Sequence, residues 1–66
     1  MKLFEYAVIL HPSKDEAKGG KSSELVVPVT TVLATGEQGA TIHAARAIPE
    51  EFMDRQDRLE VAVRPF

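Results

Sequence analysis

The chain has 66 residues, of which 44% are hydrophobic and 27% are charged, and its formal net charge is −2. This length excludes a multidomain protein, and the apolar fraction excludes an intrinsically disordered chain. The sequence contains no cysteine, so disulfides and thiolate metal sites are excluded. Because so short a domain buries only about 60% of its unfolded surface, we expect self-association or a partner to support it.

The first predicted element is a strand over residues 2–11, which is rich in aromatic and β-branched residues and ends before Pro12. Both of its faces are largely apolar, which is typical of a strand in the centre of a sheet. One face carries Phe4, Tyr6, Val8 and Leu10, and the other carries Leu3, Glu5, Ala7 and Ile9.

Residues 12–24 are polar and contain a glycine pair, which predicts a long exposed hairpin loop with room for a short helical turn at 13–18. A second strand follows over residues 25–34. Pro28 lies within this strand and cannot donate a hydrogen bond to a sheet ladder, so we expect an edge strand or a bulge.

A helix is predicted from about Thr35 to Ile48, because Thr35 and Gln38 have the spacing of a capping box. Pro49 ends or kinks it and opens a helical turn to about residue 55, anchored by Phe52 and Met53. Residues 58–66 alternate between apolar and polar side chains, as a half-buried strand does. The stripe of the main helix that we expect to face the sheet consists of Thr41, Ala44, Ala45 and Ile48.

These elements predict a single α+β domain over residues 1–66, with a two-layer ββαβ arrangement and strand order 2-1-3. A single helix covers only one face of such a sheet. The other face must then be covered by a second copy or a partner, or by the 12–24 loop and the segment after Pro49 folding back over it. We expect association.

Few residues suggest a catalytic, metal or phosphate-binding site. Gly19–Ser23 has part of a phosphate-binding loop, but Asp15 stands where that motif requires its first glycine, and a strand follows instead of a helix. His11 and His43 have no second histidine or cysteine at ligand spacing, and we interpret both as surface or packing residues. We therefore expect no enzyme activity, no cofactor and no metal.

Charged residues suggest two contacts. Glu5 lies on the predicted central strand, where Arg64 of the last strand would meet it as a cross-strand ion pair. An acidic segment follows Pro49 and favours either a solvated helix start or a surface for a basic partner. Its members are Glu50, Glu51, Asp54 and Asp57.

Three segments, 2–8, 44–51 and 60–66, carry a resemblance that covers most of the chain outside residues 12–24. They read Lys-Leu-Phe-Glu-Tyr-Ala-Val, Ala-Ala-Arg-Ala-Ile-Pro-Glu-Glu and Glu-Val-Ala-Val-Arg-Pro-Phe. In them the sequence resembles a family of small, uncharacterised tailed-bacteriophage proteins. The resemblance implies a viral setting, where virion components and host-factor binders are both common, and it transfers no site residue.

These observations predict a non-enzymatic protein-interaction module, foremost a capsid-decorating or assembly protein, located in the virion or in the host cytoplasm. The alternative is a host-factor binder or inhibitor that acts through its acidic surface. The expected partner is the protein itself or a larger viral or host protein, and neither nucleic acid nor membrane is expected. Candidate interface residues are Phe4, Tyr6, Val8 and Leu10, or the opposite face with Leu3, Ala7 and Ile9, together with Glu50, Glu51, Asp54 and Asp57.

Overall fold

A computed structural model describes all 66 residues and shows a three-stranded antiparallel sheet with one helical layer. The predicted α+β class, the strand order 2-1-3 and the helical turn after Pro49 are confirmed. The elements in chain order are β1 (Lys2–Leu10), α1 (Lys14–Lys18), β2 (Glu24–Ala34), α2 (Glu37–Ala47), a 3-10 helix (Glu50–Arg58) and β3 (Leu59–Pro65).

Strand β1 occupies the centre of the sheet, as its two apolar faces predict. It pairs antiparallel with β2 on one side and with β3 on the other. Val8 is completely buried at the middle of the strand, between its partners Val27 and Val61. The core therefore forms along one face of β1.

Strand β2 lies at the edge of the sheet, and its pairing with β1 is irregular around Pro28. The register shifts once between Tyr6 and Val8 and again between Val8 and Ile9. The two shifts accommodate two extra residues of β2. Odd-numbered residues therefore lie on the same face of the sheet at both ends of the strand. The expectation that Pro28 lies at an edge or a bulge is correct on both counts.

Helix α2 packs on β1 through small side chains. Ala40 and Ala44 are completely buried against the sheet, whereas Thr41 and Ala45 are exposed. The predicted stripe is therefore correct for Ala44 and wrong for those two positions. The buried residues are spaced four apart, which is one helical row, and their small size lets the helix axis approach the strands closely.

The predicted capping box at Thr35 is not formed. Gly36 is the N-cap of α2 with an extended backbone, and no side chain caps this helix. A capping box occurs instead in the 12–24 segment, where the Ser13 hydroxyl accepts from the Glu16 amide and the Glu16 carboxylate accepts from the Ser13 amide. Helix α1 starts there, which stabilises a segment that its polar composition indicated as loop.

The segment after Pro49 is a 3-10 helix with a kink at Arg55. Every third side chain of this helix is half-buried, as expected for three residues per turn; these are Phe52, Arg55 and Arg58. Phe52 is an anchor as predicted. Met53 is exposed and is not an anchor, because the three-residue period turns it away from the core.

Candidate interaction surface

The face of the sheet opposite α2 carries no second layer. Glu5, Ala7 and Ile9 of β1 are half-buried there, and Ala62 of β3 is exposed. Four large apolar side chains on this face are between 45% and 59% exposed, namely Leu3, Leu25, Val29 and Leu33. We call this surface the open face. Neither α1 nor the 3-10 helix shields these side chains.

The position of α2 decides which of the two candidate faces is free. The first set of interface candidates is buried by the helical layer and forms the hydrophobic core: Phe4, Tyr6, Val8 and Leu10. These residues offer no surface to a partner of the folded chain. The buried alanines of α2, Ala40 and Ala44, pack against this set, and its aromatic side chains are thereby removed from solvent. The opposite set, with Leu3, Ala7 and Ile9, lies on the open face.

An ion pair crosses the open face. Arg64 Nε donates to Glu5 Oε1 at 2.7 Å, and the two residues are direct partners in the β1–β3 register. The expected cross-strand pair is therefore present. Beside it lies a shallow hollow of about 340 Å³ whose lining includes Ala7, Ala62 and Val29. The face thus combines apolar area with one fixed pair of opposite charges.

A polar cluster ties the 12–24 segment to the start of β3. Glu16 is its centre, because its carboxylate accepts from Lys21 Nζ at 3.0 Å and also from the guanidinium of Arg58. The hydrogen bond from the Ser13 amide, followed by the bonds from Lys21 and Arg58, lowers the pKa of Glu16 to about 2. This cluster holds α1 against the sheet end.

His11 links a hydroxyl to a carboxylate at the same end of the sheet. Its Nε2 lies 2.6 Å from Glu60 Oε1, and its Nδ1 lies 2.9 Å from Ser23 Oγ. An acid, an imidazole and a hydroxyl in this order also activate the nucleophile of serine hydrolases. Here the His11 and Glu60 side chains are about half exposed. The hollow next to His11 measures about 10 Å³, which is about the space of one water molecule. The arrangement therefore joins strands and loop, and it has no recess for a substrate.

The remaining candidates are solvent-exposed. His43 lies on the exposed side of α2, and the four predicted acidic residues of the 3-10 helix all point to solvent. Within that helix Arg55 donates to Asp54 Oδ1 at 3.4 Å and stacks over the Phe52 ring at 4.9 Å. Its guanidinium therefore offsets part of the acidic charge. No group of three or more histidine, aspartate or glutamate side chains is arranged to hold a metal ion.

Sequence reasoning missed the two polar clusters because they depend on long-range pairing. His11 and Glu60 are neighbours only because β1 and β3 pair in one particular register. The Ser13–Glu16 spacing was the one local signal, and it was visible as a capping box.

Comparison with known proteins gives no match: no protein-family model, no curated protein and no solved structure is similar to this chain. None of its helices has both the length and the apolar character needed to cross a membrane. Function must therefore be inferred from the surfaces of the molecule.

Proposed function

We propose that this protein is a non-enzymatic interaction module that docks onto a larger protein through its open face. The observation that carries the proposal is a sheet face with four large, half-exposed apolar side chains and no covering layer. Contiguous apolar patches of this kind are uncommon on monomeric proteins and mark binding surfaces. The Glu5–Arg64 pair gives the same surface a polar feature that would orient a partner.

The shape of the molecule supports this proposal. Only 8 of its 66 residues are buried, and its radius of gyration is 13.0 Å, compared with about 11 Å for a compact domain of this length. Its accessible surface is 4667 Å², compared with about 4,200 Å² for a monomer of this mass. An elongated layer with so much free surface gains stability when another protein covers it.

The resemblance to small phage proteins favours a particular setting, a virion component that decorates or assembles a capsid. A shell presents the same docking surface many times, so a small module with one apolar face binds it in many copies. In this setting the partner is an apolar surface of the larger shell protein. The hollow beside Ala7 and Ala62 would accept an apolar side chain of that protein.

The test uses the Val29→Lys, Leu33→Lys double variant in particles of a phage that carries this coding sequence. Both side chains are more than half exposed, so we expect the fold to be retained and incorporation into purified particles to be lost. The matched control is Ile42→Lys, which charges a similarly exposed apolar residue on α2. Incorporation of the double variant at the wild-type level would refute docking through the open face.

The acidic 3-10 helix supports a second candidate function, binding to a basic surface of a host protein. Its acidic side chains are all exposed. Glu51 and Asp54 are one turn of the 3-10 helix apart and lie on the same side, and Asp57 follows the kink at Arg55. Binding of this kind weakens steeply with salt, whereas docking through the open face does not. Substituting these three residues with their amides would abolish it and leave docking through the open face intact.

A further inference from the structure

We propose that a second copy of this chain pairs with the outer edge of β3, so that two sheets join into one continuous six-stranded sheet. The inference rests on the proposed function, because it names a partner for the interaction module. It concerns a different part of the molecule from the docking face and makes a separate prediction. Three observations carry it: free backbone groups, a self-complementary side-chain pattern, and an obstructed edge on the other side of the sheet.

The outer edge of β3 has unpaired backbone groups. The amide of His11 donates to the Arg58 carbonyl, and the amide of Phe66 donates to the Leu3 carbonyl. In an antiparallel ladder hydrogen-bonded pairs recur every second residue, so the even-numbered residues of β3 bond inward to β1. The amides and carbonyls of Val61 and Val63 therefore point outward, and none of the backbone hydrogen bonds outside the helices and strands uses them. The amide of Leu59 is not free, because it donates to the Gln56 carbonyl at the end of the 3-10 helix.

The apolar and charged positions of β3 are placed symmetrically about Ala62. Val61 and Val63 lie one residue away on either side, and the oppositely charged Glu60 and Arg64 lie two residues away. In a twofold pairing centred on Ala62, Val61 lies opposite the partner's Val63 and exchanges two hydrogen bonds with it. Leu59, whose amide already donates to Gln56, lies opposite the partner's Pro65, which has no amide to leave unpaired. Every outward amide of the strand is then satisfied.

The charges favour the same register. Glu60 and Arg64 both lie on the open face, because they pair with Ile9 and Glu5 of β1. About Ala62, Glu60 lies directly opposite the partner's Arg64, and the same contact repeats across the axis. Each Arg64 is then flanked by two carboxylates, its own Glu5 and the partner's Glu60, whose Oε1 is bonded to His11 and whose other oxygen meets Arg64. Opposite charges at directly opposed positions stabilise an antiparallel pair, and like charges destabilise it.

Neighbouring registers lose this match. A pairing centred on Val61 places Arg64 opposite the partner's Arg58, which is a like-charge contact. A pairing centred on Val63 leaves Glu60 opposite the partner's Phe66, so that no cation of the partner meets it. The Ala62 register is therefore the one in which the outward backbone groups and the charged side chains both find partners.

The other edge of the sheet is protected. Strand β2 carries Pro28 and two register shifts, which are devices that prevent strand addition at an edge. Strand β3 pairs with β1 without a shift, and its only proline is its last residue. Because the twofold axis is perpendicular to the sheet, both copies of α2 lie on one side. The two open faces then join on the other side and double the docking surface.

The test uses two charge variants that repel themselves and attract each other. The first is Glu60→Arg, which also removes the contact between Glu60 and His11 within the chain. The second is Arg64→Glu combined with Glu5→Gln, which avoids two facing carboxylates within one chain. Light scattering after size exclusion should give the wild type about twice its 7.3 kDa mass. For each variant alone we expect the dimer dissociation constant to rise about tenfold or more. An equimolar mixture should recover the dimer, because every cross-copy pair is then between opposite charges.

A wild-type monomer, variants that still dimerise alone, or a mixture that stays monomeric would each overturn the β3 pairing. Circular dichroism identifies a variant that fails to fold. A second measurement on the wild type then keeps the test decisive. Amide exchange at Val61 and Val63 should accelerate on dilution, while the inward amide of Ala62 stays protected. Exchange at all three that does not depend on concentration contradicts the proposal. Loss of dimerisation with normal particle incorporation would leave docking through the open face standing.

Discussion

Glu5 of β1 and Arg64 of β3 lie directly opposite each other, with 2.7 Å between Glu5 Oε1 and Arg64 Nε. The Glu5 side chain is mostly shielded, whereas Arg64 is largely exposed. A carboxylate in the middle of an apolar surface is costly unless it is paired. The ion pair thus allows the central strand to carry a charge on the open face, and it gives that face a fixed polarity.

A double-mutant cycle measures this ion pair. Glu5→Gln, Arg64→Gln and the double variant should give a coupling energy of about 0.2–1 kcal/mol in the free energy of unfolding, since one partner is solvent-exposed. Urea unfolding at low and high salt is the measurement, and the coupling should fall with salt. Zero coupling at low salt would mean that the two side chains do not pair in solution.

Val8 is the largest side chain that is completely buried. Its side chain is completely buried between β2, β3 and α2, so Val8→Ala should lower the free energy of unfolding by about 2–3 kcal/mol through lost burial and a residual cavity. In a domain of this size each kcal/mol lowers the melting temperature by about 4–8 °C.

The matched control for Val8 is Val29→Ala on the open face, where 59% of the residue is exposed. We expect a change within about 0.5 kcal/mol. Calorimetry compares the two variants at one protein concentration. Equal costs at both positions would show that the open face is covered by another copy under those conditions.

The strand pattern was predictable because a two-residue period and a proline are local signals. The apolar faces of β1 and the position of Pro28 were enough to place β1 in the centre and β2 at an edge. Which face of β1 the helix covers was not predictable, since Phe4, Tyr6 and Val8 alternate with residues that are nearly as apolar. The choice depends on how Ala40 and Ala44 fit the sheet, which is a tertiary contact.

The helix–sheet contact makes a prediction about Ala44. This residue is completely buried, whereas the adjacent Ala45 is exposed. Ala44→Leu should force α2 away from β1 and cost about 1–3 kcal/mol, while Ala45→Leu, with the same change of side chain, should be close to neutral. Chemical denaturation of both variants checks this. A costly Ala45→Leu beside a neutral Ala44→Leu would mean that the helix is rotated.

The polar cluster at Glu16 makes a prediction about pH. The bond from the Ser13 amide, and the cations Lys21 and Arg58, lower the pKa of Glu16 from 4.5 to about 2. A carboxyl group whose pKa is lower in the folded state stabilises the fold fully above its unfolded pKa. That stabilisation is lost as the pH falls through the folded value. The contribution of Glu16 should therefore be constant above about pH 4.5 and disappear by about pH 2.

Glu16→Gln tests this directly, because it removes the charge and keeps the shape. Its melting temperature should lie below that of the wild type at pH 7, and the two curves should converge as the pH approaches about 2. Asp15→Asn is the matched control, since it makes the same charge change on the same helix, where no side-chain hydrogen bond holds the carboxylate. Its difference from the wild type should be smaller at pH 7. If the Glu16→Gln difference is independent of pH between 4.5 and 2, the cluster does not hold the ionised carboxylate and α1 is not fixed to the sheet by it.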